Sequence, residues 1–173
     1  MRVLRVHAPG TPRGLADRVG RAVVDFNRGL DIRLRFLSIG IEETVIEAES
    51  AASAADGVAA ALRAGTPDVV VVFGEGPAAL AAAACAARAP TIVVRAGAGR
   101  RDGAAADEAR AIDRLAALHL VHDAAGARVL EEESVPGQRV DVGGADDPAS
   151  GERIVRALSR ARRAAQGGTT GGA

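Results

Sequence analysis

At 173 residues the chain is long enough for one domain that buries roughly 70% of the surface its unfolded form exposes, and short for two. Its 22 basic residues, every one an arginine, balance 22 acidic ones, so the net charge gives no electrostatic reason to expect nucleic acid or an anionic membrane as partner, and the lack of lysine excludes both a Schiff base and a phosphate-loop lysine. Alanine dominates a hydrophobic fraction of 48% that includes three phenylalanines and neither tryptophan nor tyrosine, which calls for a core of small side chains.

In chain order, short apolar runs rich in β-branched residues predict strands at Val3 to His7, Ile32 to Leu37, Val69 to Phe73, Thr91 to Val94, His119 to His122 and Arg139 to Val142. Between them, helical patterns run from Leu15 to Phe26, Ala51 to Ala64, Ala78 to Ala89, Ala105 to Ala116 and Ala124 to Glu133, with a last one from Pro148 to Ala165. The run Val69-Val70-Val71-Val72 is apolar at every position, as a central parallel strand covered by helices on both faces requires. Strand alternating with helix in this way predicts a doubly wound, mainly parallel α/β sheet, Rossmann-like in class. We expect residues 1–147 to form that domain, 148–165 a C-terminal helix packed on it, and the glycine-rich 166–173 a disordered tail. No run approaches the ~20 apolar residues of a membrane span, and the N-terminus lacks a signal-peptide pattern, which makes the cytoplasm the expected location.

Ligands of such sheets bind beyond the carboxyl ends of the strands, near the point where strand order reverses. Five loops fall there: residues 7–14, 38–43, 74–77, 95–103 and 122–126. Generic motifs within them are incomplete. Gly97-Ala98-Gly99-Arg100-Arg101-Asp102 begins like a dinucleotide fingerprint but ends on Asp and follows the fourth strand rather than the first, so no nicotinamide cofactor is expected, nor any other. Its glycines either make tight turns or cradle a phosphate through backbone amides, with Arg100 and Arg101 adding charge; the loop 7–14 has the same two readings. His7, His119, His122 and Cys85 show no metal spacing, and no metal is expected. His7 and His122, each at the end of a strand, are acid–base candidates, ligands for a sugar hydroxyl, or plain loop residues. Cys85 has no partner for an intramolecular disulfide and sits in an alanine-rich helix as a small packing residue.

The stretch PDVVVVFGEGPAALAAAACAARAPTIVVRAG resembles the N-terminal domain of the non-hydrolysing UDP-N-acetylglucosamine 2-epimerases. There a strand of the form PDxVxVHGD runs into TTxALAAALAA and then GIPVAHVEAGLRT. Gly10-Thr11-Pro12-Arg13 resembles that family's GTRP loop with two residues transposed, Ile112-Asp113-Arg114-Leu115-Ala116 with Leu118-His119 resembles a stretch of the form IDHLADLHF, and Val142-Gly143-Gly144 stands where the family has TGN. The resemblance covers about residues 2–145. It implies one half of a glycosyltransferase-B-like enzyme, in which two Rossmann-like domains close over a nucleotide sugar. The family reaction interconverts UDP-N-acetylglucosamine and UDP-N-acetylmannosamine, removing the C2 proton with loss of UDP and adding both back from the opposite face. Such chemistry needs carboxylates near C2 and positive charge for the leaving pyrophosphate.

Residue by residue, the resemblance places Glu75 at the family's GD-loop aspartate, with a longer arm. Arg95 stands at the VEAG glutamate, where a guanidinium cannot accept a proton. The family's PEEANR segment is reduced to Asp107-Glu108-Ala109-Arg110, two residues closer to Asp113 than the pattern, so either acid can be the counterpart. The candidate catalytic carboxylates are therefore Glu75, Asp107 and Glu108. The candidate substrate-binding residues are Gly10, Arg13, Gly74, Arg95, Gly97, Arg100 and His122. Glu75 has a second reading, as a carboxylate capping the helix that follows it. The residues after Val142 can hold one helix and no second sheet. Two functions follow from the resemblance: an epimerase-like domain, inactive as a lone chain, that takes a UDP-sugar and pairs with a separately encoded C-terminal half or with copies of itself; or a non-catalytic binding or scaffolding subunit in cell-envelope polysaccharide synthesis.

Overall fold

The computed structural model describes residues 1–9, 13–33, 42–99, 105–143, 147 and 149–167. Six strands alternate with six helices: β1 (Arg2–His7), α1 (Arg13–Arg33), β2 (Glu42–Glu47), α2 (Ala51–Ala64), β3 (Val69–Phe73), α3 (Gly76–Ala86), β4 (Ile92–Ala96), α4 (Ala106–Leu115), β5 (Leu118–Val121), α5 (Ala124–Glu132), β6 (Gln138–Asp141) and α6 (Ser150–Gly167). The strands form one parallel sheet in the order β2-β1-β3-β4-β5-β6. Strand order reverses between β1 and β3, the position at whose carboxyl edge doubly wound sheets place their ligands. Among the described residues no helix is long and apolar enough to cross a membrane.

Alternation along the strands divides the core between two faces. Val69, Val71 and Phe73 of β3 join Ile92, Val94, Leu118 and Leu120 against α1 and α6, through Val19, Ala22, Val23, Ile154 and Leu158. Val70 and Val72 join Leu4, Val6 and Val93 against α2, α3 and α4, through Val58, Ala79, Ala82, Ala83 and Ile112. Each of the four valines of β3 is fully enclosed, a burial that contributes roughly 1.5–3 kcal/mol per side chain. Alanine on α3 lets that helix lie close between α2 and α4. Cys85 stands on the same helix, half-buried, with its thiol 3.8 Å from the Ala55 carbonyl of α2. Ser50 and Ser53 cap the start of α2 reciprocally.

The second strand corrects the sequence reading. Ile32 and Arg33 lie in α1, and 34–37 lie outside the described residues, while β2 is Glu42–Glu47 with Arg2 opposite Glu42 and His7 opposite Glu47. An edge strand needs little apolar content: Thr44, Val45 and Glu47 are exposed, and pairing with β1 supplies the strand that the sequence of β2 does not advertise. Of the loop read as 38–43, Glu42 and Glu43 begin β2 at the amino edge, opposite Arg2 and Val3, away from the expected carboxyl-edge position. The C-terminal helix begins at Ser150 and runs two residues past Ala165; 168–173 lie outside the described residues.

Candidate functional site

Loops that leave β3 and β4 build the first part of the carboxyl edge. Gly74 and Gly76 both adopt positive φ, +84° and +82°, a conformation open to glycine and costly for other residues. Between them Glu75 takes the N-cap position of α3 in extended conformation, and its side chain makes no capping hydrogen bond. The carboxylate faces sideways instead, with Oε1 3.5 Å from Nη2 of Arg95. Arg95 interrupts the apolar run of β4 on the face covered by α2, α3 and α4, beside Val72 of β3 and His119 of β5.

Arg95 is 2% exposed and has a second carboxylate partner, Asp113 of α4, which is 0% exposed and 3.5 Å from Arg95 Nε. The guanidinium also donates to the carbonyl of Gly74. His119, buried beside it, approaches the Asp113 carbonyl through Nε2 at 2.9 Å. A backbone oxygen can only accept, so Nε2 carries the proton there. The arrangement is one cation clamped between two carboxylates and a carbonyl. It fixes the β3–α3 turn to α4, and Glu75, 22% exposed, is its one member at the surface.

Asp107 does not join this cluster. Its side chain, 94% exposed, pairs with Arg110 one turn on, and Arg110 also holds Glu133 at the end of α5. Glu108 lies half-buried in the same first turn of α4. Gly97, at φ +79°, has its amide committed: Gly97 N and Ala98 N both donate to Leu120 O, at 2.9 and 3.2 Å. Two amides of the proposed phosphate cradle therefore serve the sheet. Gly99 is required for another reason, since a Cβ there would lie 2.2 Å from the Gly126 carbonyl at the start of α5. Gly10, Arg100 and Arg101 lie outside the described residues, and Arg13 is the first residue of α1.

Two further groups line the edge. His7 closes β1 with Nδ1 2.8 Å from Glu47 Oε1 and its ring edge-on to Phe73. His122 follows β5, and its Nδ1 lies 2.9 Å from Nη2 of Arg18, while Nη1 of the same arginine donates to Gly143 O at 3.1 Å. Arg18, on α1, is 6% exposed and was not singled out from the sequence. A signal was there: it falls on the α1 stripe that buries Val19, Ala22 and Val23, and a charge on an apolar stripe needs partners. Asp113 follows Ala109 and Ile112 at helical spacing and carries the same signal. Among the described residues no cluster of three metal-ligating side chains occurs.

The parallel sheet order, with helices on both faces, defines a Rossmann-like α/β domain. Comparisons with protein-family models and with curated protein sequences give no match. Solved structures do. The chain is similar to the UDP-GlcNAc 2-epimerase of Methanocaldococcus jannaschii, with a TM-score of 0.63 and 17% identity over 90% of this chain and 50% of that one. It is similar to the Neisseria meningitidis UDP-GlcNAc 2-epimerase bound to UDP-GlcNAc, at 0.62 and 16% over 83% and 46%, and to S. aureus MnaA in its UDP co-structure, at 0.62 and 14% over 83% and 45%. At such identities the likeness establishes the fold. The chain spans about half the length of the solved structures it matches.

Proposed function

We propose that this chain is a UDP-N-acetylglucosamine 2-epimerase-like domain that takes a UDP-sugar at the carboxyl edge of its sheet and does not epimerise it as a lone chain. The fold it shares with epimerases solved with UDP and UDP-GlcNAc supports the ligand class. The observation that carries the second half of the reading is Arg95. A guanidinium stands where the resembling family has a carboxylate, and it lies 3.5 Å from the Glu75 carboxylate. A base must be free to take the C2 proton, and general-base catalysis is worth about 10²- to 10⁴-fold. Here Glu75 is engaged by a cation and Arg95 cannot accept a proton. The match covers about half of the neighbouring epimerase chain, and this reading pairs the domain with a separately encoded half or with another copy of itself.

The same clamp favours a second reading, a non-catalytic subunit that binds a nucleotide sugar or a protein partner in polysaccharide synthesis. One experiment tests both the ligand class and the inactivity: the purified chain is mixed with UDP-N-acetylglucosamine, and both its thermal unfolding and the appearance of UDP-N-acetylmannosamine are followed. Stabilisation without conversion is expected; ligand at 100 times its Kd adds about 2.7 kcal/mol to the native state. No stabilisation at millimolar ligand removes the UDP-sugar reading, and conversion above a no-enzyme control removes the inactivity.

A further inference from the structure

We propose that Glu47 is a positioning residue for His7: it holds the imidazole proton on Nδ1 and so presents Nε2 as an acceptor for a hydroxyl or amide N–H of the ligand. The two residues lie directly opposite one another in the parallel register of β1 and β2, and Nδ1 of His7 stands 2.8 Å from Oε1 of Glu47. A carboxylate only accepts, so Nδ1 is the protonated nitrogen, and in the neutral ring Nε2 carries the lone pair. Phe73 bounds the ring on its other side, opposite His7 in the register of β1 and β3, with centroids 4.9 Å apart and planes at 80°. The backbone beneath is tied as well: Ala48 N donates to His7 O at 2.8 Å, and Ala8 N to Phe73 O at 3.2 Å. Glu47, His7 and Phe73 thus form one row across the carboxyl ends of β2, β1 and β3.

Nε2 is the atom this row leaves over. It is enclosed and has no hydrogen-bond partner among the described residues, while the His7 side chain as a whole keeps 14% of its surface. An enclosed acceptor that makes no bond carries a desolvation cost that an arriving donor offsets. Nδ1 of His119 is enclosed and unpartnered too, but that ring lies within β5 at 0% exposure, with no surface for a ligand to approach. His7 instead closes β1 at the point where strand order reverses, on the edge where sheets of this kind receive ligands. The exposed margin of its ring is where a donor enters, and the enclosure of Nε2 keeps water from competing for the lone pair. An ionised diphosphate has acceptors only, so the donor belongs to the nucleoside or the sugar.

The ligand role rests on the nucleotide-sugar reading, but the tautomer is measured without ligand, so the two fail separately. The full chain, labelled with ¹⁵N-histidine, is examined by long-range ¹H–¹⁵N NMR at about pH 8, where an ordinary histidine is neutral. His7 in the parent should show a protonated Nδ1 and a bare Nε2. Glu47→Gln, which keeps an accepting oxygen, should preserve that tautomer, and Glu47→Leu should give both in exchange; the signals of the enclosed His119 show whether each variant is folded. UDP-N-acetylglucosamine or UDP is then added, with thermal unfolding as the measure of binding. The Nε2 resonance of His7 should move as a donor engages it, and a His7→Phe chain should bind about tenfold more weakly. Movement with both ligands assigns the donor to the nucleoside, and movement with UDP-N-acetylglucosamine alone assigns it to the sugar. A bare Nδ1 in the parent, or a folded Glu47→Leu chain with the parent's single tautomer, overturns the positioning by Glu47. Binding that leaves Nε2 unmoved, or undiminished binding by His7→Phe, overturns the acceptor role. No stabilisation by either ligand removes the nucleotide-sugar reading and the ligand role with it, and the tautomer alone then decides on Glu47.

Discussion

Arg95 and Arg18 are both more than nine-tenths buried at the carboxyl edge, on opposite faces of the sheet, and they are accommodated in contrasting ways. Arg95 lies between two carboxylates, Glu75 and Asp113. Arg18 meets a carbonyl and an imidazole nitrogen. The first arrangement compensates charge and ties a turn to a helix. The second satisfies hydrogen bonds while leaving the charge to more distant groups. A buried arginine can thus be accommodated by ions or by neutral acceptors, and only the first leaves an uncompensated charge inside when its partner is removed.

The largest expected effect breaks the strut. Arg95→Glu sets a third carboxylate between Glu75 and the enclosed Asp113, where losing one partner of a buried pair already costs about 3–5 kcal/mol. Thermal unfolding at pH 7 should show a loss at least that large, with partial recovery on acidification as a carboxylate takes up a proton. Unchanged stability would make the clamp incidental. Arg95→Met paired with Asp113→Leu should recover most of what Arg95→Met alone loses, because no unpaired charge is then left inside; a double variant no better than the single would show that the salt bridge itself supplies the stability.

Gly99→Ala comes next. Its φ of +84° and the 2.2 Å separation that an added Cβ would have from Gly126 O should together cost roughly 2–4 kcal/mol. It loosens the edge while sparing both arginines, so it separates general disruption from either specific contact. Arg18→Met removes the donors to Gly143 O and His122 and should cost about 1–3 kcal/mol in denaturant unfolding. A loss as large as that of Arg95→Glu would mean the two arginines are not different in kind.

The smallest effect concerns the turn behind Arg18. The hydrogen bond from Arg153, and then that from the Ala149 amide, hold the Asp147 carboxyl below the ordinary aspartate value. A group whose folded pKa is lowered stabilises the native state above its unfolded value, near 4 for aspartate, and loses that contribution as pH falls through the folded value. The drop in Tm between about pH 5 and pH 3 should therefore be slightly smaller in Asp147→Asn than in the parent. An equal drop in both would remove Asp147 from the acid response.

The sequence by itself determined the alternation of strand and helix, because burial on two faces demands continuous apolar runs in β3, β4 and β5 and amphipathic spacing in the helices that cover them. The placement of Glu75 and Arg95 on neighbouring loops and strands followed from it as well, since consecutive strands tend to lie side by side. It did not determine β2. EETVIE becomes a strand because β1 offers a free edge, and a half-exposed edge leaves almost no apolar signature. The sequence named Glu75 as a partner of Arg95, as the ion pair between them shows, but not Asp113 as the second, nor who holds His122. Asp113 lies 18 residues from Arg95 and Arg18 lies 104 from His122, and hydrophobic patterning fixes which face of a helix is buried without naming the polar group it will meet. Only the stacking of α4 and α1 on opposite faces of the sheet decided that, since a buried charge takes its partner from whatever the packing of the core brings within reach.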